Sequence, residues 1–308
     1  MKRTWSTESD LLKRIARRAQ ISRSSRLVCG IGDDCAVYRT PGSSEDLLIT
    51  TDMLLEDVHF RRETHPARTA GHKALARGLS DIAAMGGDPR FCLLSLAVPQ
   101  WATPAWVDGF YDGFLRLAAR YGIVLAGGDL ARSERMACDV VVCGTAPRNR
   151  WLRRDQTKAG DHIYVSGRLG GSALGLATQA GAAWRRHLRP EPRIELGRFL
   201  RDHLAATAAM DLSDGLSLDL RRLCDASGAA AEIVPPPRFP GASIDQALHG
   251  GEDYELLFTL PPGAKPPASF RGIRLTRIGS IVKGKRGTVR LDGKPLPARG
   301  WDHLARLR

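Results

Sequence analysis

The chain has 308 residues, of which 43% are hydrophobic and 26% charged, a globular composition with enough length for two cores. No apolar run approaches the ~18 residues of a membrane span, and the first twenty residues lack the apolar stretch of a secretory signal, so a cytoplasmic, membrane-free protein is expected. A formal net charge of +13, mostly arginine in runs such as RIARR, RRET, RNRWLRR and WRRH, admits a basic nucleic-acid-binding protein; aromatics at 6%, never interleaved with those runs, favour a solvated basic surface that attracts phosphorylated small molecules.

In chain order, the N-terminus reads as an amphipathic helix. Leu11, Leu12, Ile15, Ala16 and Ala19 share a face, and Thr7-x-x-Asp10 caps the start. Strand-like runs then end at Cys29, Thr51, Val98, Leu125 and Gly144, with helical stretches at 67–86 and 104–121 between them. The polar, basic segment 148–161 is the expected boundary between a domain 1–148 and a domain 149–308. Beyond it come a strand, HIYVSG, and a glycine-rich helix start, GGSALGLATQAG, with Ser172 as its expected cap or its amides as an anion site. Helices near 193–208 and 215–227 follow, then Pro-rich connectors at 235–241 and 261–269 and a VRLDGKPL hairpin with an Asp-Gly turn. The six cysteines form no CxxC pair, as expected of small core residues in a reducing compartment.

Familiar phosphate-binding motifs are missing. There is no GxxxxGK[ST], Gly30-Ile31-Gly32 lacks the third glycine of a dinucleotide fingerprint, and no protein-kinase set or GxSxG elbow occurs. Carboxylates at the ends of apolar runs stand out instead. GIGDDCAVY carries Asp33 and Asp34, LLITTD ends at Asp52, IVLAGGD at Asp129, and AAMDLSDG holds Asp211 and Asp214. Asp81 lies within a helical segment on a small, apolar face with Ala74, Gly78, Ala84 and Met85. A lone carboxylate there costs several kcal/mol unless paired, with Arg77 for example, or bound to a metal. Oxygen ligands with few histidines suit Mg²⁺, which commonly accompanies nucleotide phosphates.

GIGDDCAV, TTDMLLEDVHF, LSDIAAMGGDP, AGGDLARS, HLRPEPR, DLSDGLSLDL and GGEDYELLFT occur together in this order. As an ordered set they resemble the thiamine-monophosphate kinases of the aminoimidazole-ribonucleotide-synthetase-like superfamily, from about residue 24 to GWDHL near the end. The resemblance implies a two-domain α/β fold of the α+β kind. Its N-terminal sheet-plus-helices domain forms a barrel across a homodimer, and a C-terminal α/β layer closes the nucleotide site. It implies direct transfer of the γ-phosphoryl group of ATP to thiamine monophosphate, aided by several Mg²⁺ ions. Matched motif by motif, Asp34, Thr50, Thr51, Asp52, Asp81, Asp129, Asp211 and Asp214 are the implied metal ligands. Gly128, Asp129, Arg154 and Ser213 are the implied ATP contacts, and His59, Glu252 and Trp301 the implied acceptor site. Asp33 matches no ligand position, and Leu130 stands where many relatives carry Thr.

Other ATP-using members of the superfamily are the nearest alternatives. A selenophosphate synthetase is expected to carry a reactive Cys or selenocysteine in an N-terminal glycine-rich segment, whereas the first Cys here is Cys29. A hydrogenase-maturation relative is expected to end in a Cys-bearing tail, whereas the last residues here are WDHLARLR.

Overall fold

The computed structural model describes residues 7–19 and 26–304. Helix α1 (Glu8–Arg18) starts as expected, with the Thr7 side chain accepting from the Asp10 amide, yet none of its residues is buried. The first sheet contains β1 (Leu27–Cys29), β2 (Ala36–Arg39), β3 (Glu45–Leu55), β4 (Asp88–Val98), β5 (Val124–Arg132) and β6 (Ala137–Pro147). Helices α2 (Ala67–Ala84) and α3 (Pro104–Arg120) connect β3 to β4 and β4 to β5. The strand order is β1-β2-β3-β6-β4-β5. Only β4 and β5 run parallel, as a strand pair joined through a helix must be able to do.

The second sheet follows a short linker. It contains β7 (His162–Ser166), β8 (Ala208–Asp211), β9 (Ala230–Ile233), β10 (Leu256–Leu260), β11 (Ser269–Phe270), β12 (Ile273–Val282), β13 (Val289–Leu291) and β14 (Lys294–Pro295). Its order is β14-β13-β9-β12-β7-β10-β8, with β11 paired to β12. Around it lie α4 (Gly171–Thr178), α5 (Gly181–Leu188), α6 (Ile194–His203), α7 (Leu216–Ser227) and α8 (Ile244–His249). This two-sheet, mixed α/β architecture is the fold class that the sequence implies. The expected hairpin joins β13 to β14, and both Asp292 and Gly293 take positive φ, as that turn requires.

Three local expectations change. The helix expected to reach residue 208 stops at His203, and Ala208–Asp211 becomes a buried strand. Alanine favours a helix, but pairing with β10 and full burial outweigh that weak preference. The glycine-rich helix start becomes two short helices, broken where Gln179 and Gly181 are left-handed. Ser172 does not cap α4. The amides of Gly170 and Ser172 donate instead to Asp253, at 2.5 and 3.1 Å, so the helix start does bind an anion, one of the protein's own. The run read as ending at Leu125 continues as β5 through Gly127-Gly128-Asp129. A Cβ at Gly128 would lie 1.8 Å from the Leu94 carbonyl oxygen, so this glycine serves close strand contact rather than a turn.

Helix α2 is the pivot of the packing. Thirteen of its residues are buried, from Thr69 to Ala84. Its core joins Leu48, Val140, Val142 and Leu94 of the first sheet to Ile194, Leu196 and Leu200 of α6 and to Ala209, Leu256 and Phe258 of the second. Leu216, Leu220 and Leu223 of α7 cover the other face of the second sheet, with Ile163, Val165 and Leu257. The cysteines are free thiols, five of them buried, as expected of core residues. No helix among the described residues is long and apolar enough to cross a membrane.

The seam between α2 and α6 allows a test. At Gly197 a Cβ would sit 2.0 Å from the Ala83 carbonyl oxygen, a backbone atom that cannot step aside alone. Gly197→Ala should therefore destabilise the fold by about 1–3 kcal/mol, the usual range for overpacking. The urea midpoint measured by circular dichroism should fall accordingly. An unchanged midpoint would show that the two helices separate at no cost.

Candidate active site

Three carboxylates meet where the two sheets approach α2. Asp34 leaves the turn before β2, Asp81 lies in the last turns of α2, and Asp211 ends β8. One oxygen from each lies within 4.8 Å of the others. Asp81 accepts from Thr50 Oγ1 at 2.5 Å, and Asp211 from Ser80 Oγ at 2.7 Å. Burial, then repulsion by neighbouring carboxylates, Asp52 first for Asp81 and Asp34 first for Asp211, pushes both carboxyls well above the usual carboxylate range. The Asp34 carboxyl is also raised by burial, although the Arg154 guanidinium opposes the rise. Asp34 Oδ2 is shut off from solvent and has no hydrogen-bond partner. An all-oxygen set with an unsatisfied buried oxygen and excess negative charge fits a hard divalent cation.

Arginines hold the surrounding carboxylates. Arg154 is ion-paired to Asp34, and its Nε lies 3.5 Å from Asp33. Asp33 also accepts the amides of Asp34 and Arg154, so it shapes the turn. Burial and the neighbouring Asp34 raise its carboxyl to about 7. Arg77 pairs with Asp52 at 3.0 Å rather than with Asp81, the partner weighed from the sequence. Arg222 pairs with Asp214, whose amide and that of Gly215 donate to Asp219.

Of the remaining candidate ligands, Thr50 touches Asp81, and Asp52 and Asp214 line the same cavity, whereas Thr51 and Asp129 lie apart. Side chains alternate along a strand, so Thr50 and Asp52 share one face of β3 and Thr51 takes the other. Thr51 Oγ1 donates there to Asp139 at 2.6 Å. The register sets Met53 opposite Asp139, Asp139 opposite Ser95, and Ser95 opposite Asp129. Asp129 therefore lies on the same outer face as Thr51, and Gly128 and Asp129 are exposed. Within one chain neither joins Asp34, Asp81 and Asp211.

The three acceptor candidates do converge. A cavity of about 480 Å³ is lined by Asp52, His59, Asp81, Asp211, Ser213, Asp214, Glu252 and Trp301. His59 Nδ1 accepts from the Leu55 amide at 3.0 Å, so its proton is on Nε2, which has no partner. Burial, then the charge of Arg77, lowers its pKa to about 3, so the ring is neutral. Glu252 lies on the GGEDY segment, where both Glu252 and Tyr254 adopt left-handed φ. Two backbone bonds hold that segment to the DLSDG loop, Glu252 N to Ser213 O at 2.7 Å and Tyr254 N to Leu212 O at 2.9 Å. Burial alone would raise the Glu252 carboxyl, but Lys73, His187 and Arg77 overcome it and bring it to about 2. Trp301 is 45% exposed, its amide bonded to the Asp214 carbonyl and its ring edge-on to His303.

Several members of the site escaped the sequence reading: Glu8, Lys73, His187, His303 and Asp219. One signal was available. Lys73, Arg77 and Asp81 recur every four residues, a single charged stripe on a helix that is otherwise small and apolar. His187 and His303 carry no such pattern.

The family model for AIR synthase related protein, N-terminal domain, matches residues 32–146. The thiamine-monophosphate kinase of Salmonella typhimurium is 41% identical, with 94% of this chain and 97% of that protein covered. That of Bacillus subtilis is 36% identical, covering 96% and 99%. Among solved structures, AaThiL complexed with AMPPCP and TMP is similar over 98% of this chain and 99% of that one, with a TM-score of 0.85 and 33% identity. A hydrogenase maturation protein HypE in complex with ATP shares the fold at a TM-score of 0.66 and 17% identity. With these identities sustained over nearly the whole chain, the protein belongs to the thiamine-monophosphate kinase family.

Proposed function

We propose that this protein transfers the γ-phosphoryl group of ATP to thiamine monophosphate, giving thiamine diphosphate and ADP, as a cytoplasmic, Mg²⁺-dependent homodimer that needs no membrane or nucleic acid. The observation that carries the reading is one cavity lined by two chemically different sets of groups. One set is the carboxylates of Asp52, Asp81, Asp211 and Asp214, and the other a neutral His59 donor, the Glu252 carboxylate and the Trp301 ring. The similar AaThiL structure, complexed with AMPPCP and TMP, supports the same pair of ligands here.

The reaction forms a bond from an acceptor phosphate oxygen to the γ-phosphorus and breaks the bond from that phosphorus to the β–γ bridging oxygen. Because a phosphate monoester is already mostly ionised at neutral pH, no general base is required. What the protein must supply is alignment and charge dispersal. Asp34, Asp52, Asp81 and Asp211 would hold Mg²⁺ with Thr50 beside them, Asp214 from the DLSDG loop and Thr51 and Asp129 from the outer face. Bound Mg²⁺ supplies positive charge to the phosphate oxygens. Arg154 adds a fixed cation beside Asp34, and Ser213 and Gly128 offer the nucleotide polar and backbone contacts. Trp301 offers a π face to the cationic heterocycle of the acceptor. Glu252 offers the negative charge that the same ring attracts.

The domain division at residues 148 and 149 belongs to this proposal: the first sheet and its helices bind metal and dimerise, and the second sheet completes the site. Homodimerisation is supported by the outer face of the first sheet. Met53 and Phe91 are exposed there at 51% and 36%, with Val124 on β5 at 64%. β5 is also an unpaired edge. Such an edge is normally covered. A second copy on this face would also bring Thr51, Gly128 and Asp129 into a shared surface.

Four measurements test the reading. With ATP, Mg²⁺ and thiamine monophosphate, the parent protein should form thiamine diphosphate, and Asp81→Asn should reduce the rate by a factor on the order of 10² or more. Removing one of several repelling buried charges should leave the metal-free variant at least as stable as the parent. Near-normal turnover of Asp81→Asn at saturating Mg²⁺ would remove Asp81 from the metal site. Light scattering at micromolar concentration should report about twice the chain mass; an active monomer would refute the dimer. Trp301→Ala should raise KM for thiamine monophosphate about tenfold while ATP binding stays within about twofold, as expected for loss of one stacked cation. Equal weakening of both substrates would make Trp301 a packing residue.

A further inference from the structure

Lys73 is wholly buried in α2 and does not line the cavity. A buried ammonium costs free energy unless other groups replace its water. Here its Nζ donates to the His59 carbonyl oxygen at 3.0 Å and to Glu252 Oε2 at 2.8 Å, and lies 3.5 Å from His187 Nε2. His59 follows β3, and Glu252 precedes β10. One atom therefore ties together two residues that arrive from different sheets and face the same cavity.

The surroundings are built to the same end. His65 Nδ1 accepts from the Arg61 amide, so its Nε2–H donates to His187 Nε2 at 3.2 Å. His187 Nδ1–H then donates to Ser172 Oγ at 2.8 Å, and the Trp184 ring stacks on His187 at 5.2 Å. Burial, reinforced by the charge of Lys73, lowers His187 to about 3 and His65 to about 4, so both rings are neutral. Lys73 is thus the cation in hydrogen-bond contact with Glu252, while Arg77 stands 3.7 Å from Oε1. Glu252 Oε1 itself has no hydrogen-bond partner among the described residues.

We propose that Lys73 is a positioning residue for the acceptor: it fixes the Glu252 carboxylate and the His59 backbone in one geometry, leaving Glu252 Oε1 and His59 Nε2–H as a preset acceptor and donor for the acceptor's cationic heterocycle. The proposal rests on the reading that His59 and Glu252 hold thiamine monophosphate. Lys73 does not reach the cavity and has no hydrogen bond to Asp34, Asp81 or Asp211 among the described residues, so its effect on a ligand passes mainly through Glu252 and His59.

Steady-state kinetics of Lys73→Met, Glu252→Gln and the double variant test it. Lys73→Met should raise KM for thiamine monophosphate about tenfold, with KM for ATP within about twofold, because only acceptor alignment is lost. The double variant should raise acceptor KM by less than the product of the two single effects, since both changes break one contact. Equal weakening of ATP and acceptor by Lys73→Met, or effects that simply multiply, would overturn the proposal. If Lys73→Met fails to fold with Glu252 left unpaired, the double variant removes both charges. Weakening of ATP by the double variant relative to Glu252→Gln alone would then also overturn it. Failure of Glu252→Gln to move acceptor KM would instead refute the underlying placement of the acceptor, a result distinct from failure of Lys73→Met alone.

Discussion

Repulsion among Asp34, Asp81 and Asp211 is the constraint on which the rest of the structure depends. Each comes from a different segment, and their oxygens lie within 4.8 Å. Three carboxylates would not gather there by themselves. The apolar packing of α2 against β3 and β6 on one side, and against β8 and α6 on the other, forces them together. Burying a large side chain contributes about 1.5–3 kcal/mol. Dozens of such side chains fill the shared core, so the fold tolerates a local electrostatic cost that no surface loop could hold. That cost can be offset by a cation, which is why the same geometry that weakens the metal-free fold suits it to binding one.

Arginine and lysine complete the balance without closing the site. Arg154 pairs with Asp34 of the cluster itself, Arg77 and Arg222 pair with the neighbouring Asp52 and Asp214, and Lys73 pairs with Glu252. Two of these cations stand with Asp81 on one stripe of α2, as Lys73, Arg77 and Asp81 at intervals of four. Along this stripe the helix presents two cations and a carboxylate to groups arriving from both sheets, Glu252, Asp52 and Thr50.

The sequence made the carboxylates visible where a charge is out of place: Asp34 and Asp211 follow apolar runs, and Asp81 stands on a small, apolar helix face. They are the three that the structure brings together. His59, Glu252 and Trp301 became visible only through the ordered motifs, since one histidine, one glutamate and one tryptophan carry no local pattern. Lys73 was readable in principle from its spacing but was passed over, because a lysine in a helix is ordinarily solvated. Asp253 was beyond reach. That its carboxylate caps α4 depends on the GGEDY segment returning, more than eighty residues later, to the start of that helix. β5 runs past its expected end at Leu125 for a related reason: how closely its paired glycines meet the partner strand shows only in the fold.

The two strained residues beside the cavity follow from this division of labour. Left-handed φ at a residue other than glycine costs on the order of 1 kcal/mol or more, and the GGEDY segment contains two of them, at Glu252 and Tyr254. Each is held by a backbone bond to the DLSDG loop and by a side-chain bond to α2: Lys73 holds Glu252, and Arg77 Nη1 donates to the Tyr254 hydroxyl at 3.1 Å. The strain therefore persists because α2 and the DLSDG loop both oppose its release. Those are also the elements that carry Asp81, Asp211 and Asp214. The conformation that aims Glu252 into the cavity and the conformation that gathers the carboxylates are fixed by the same packing, so the placement of Glu252 relative to the carboxylates is set by the fold.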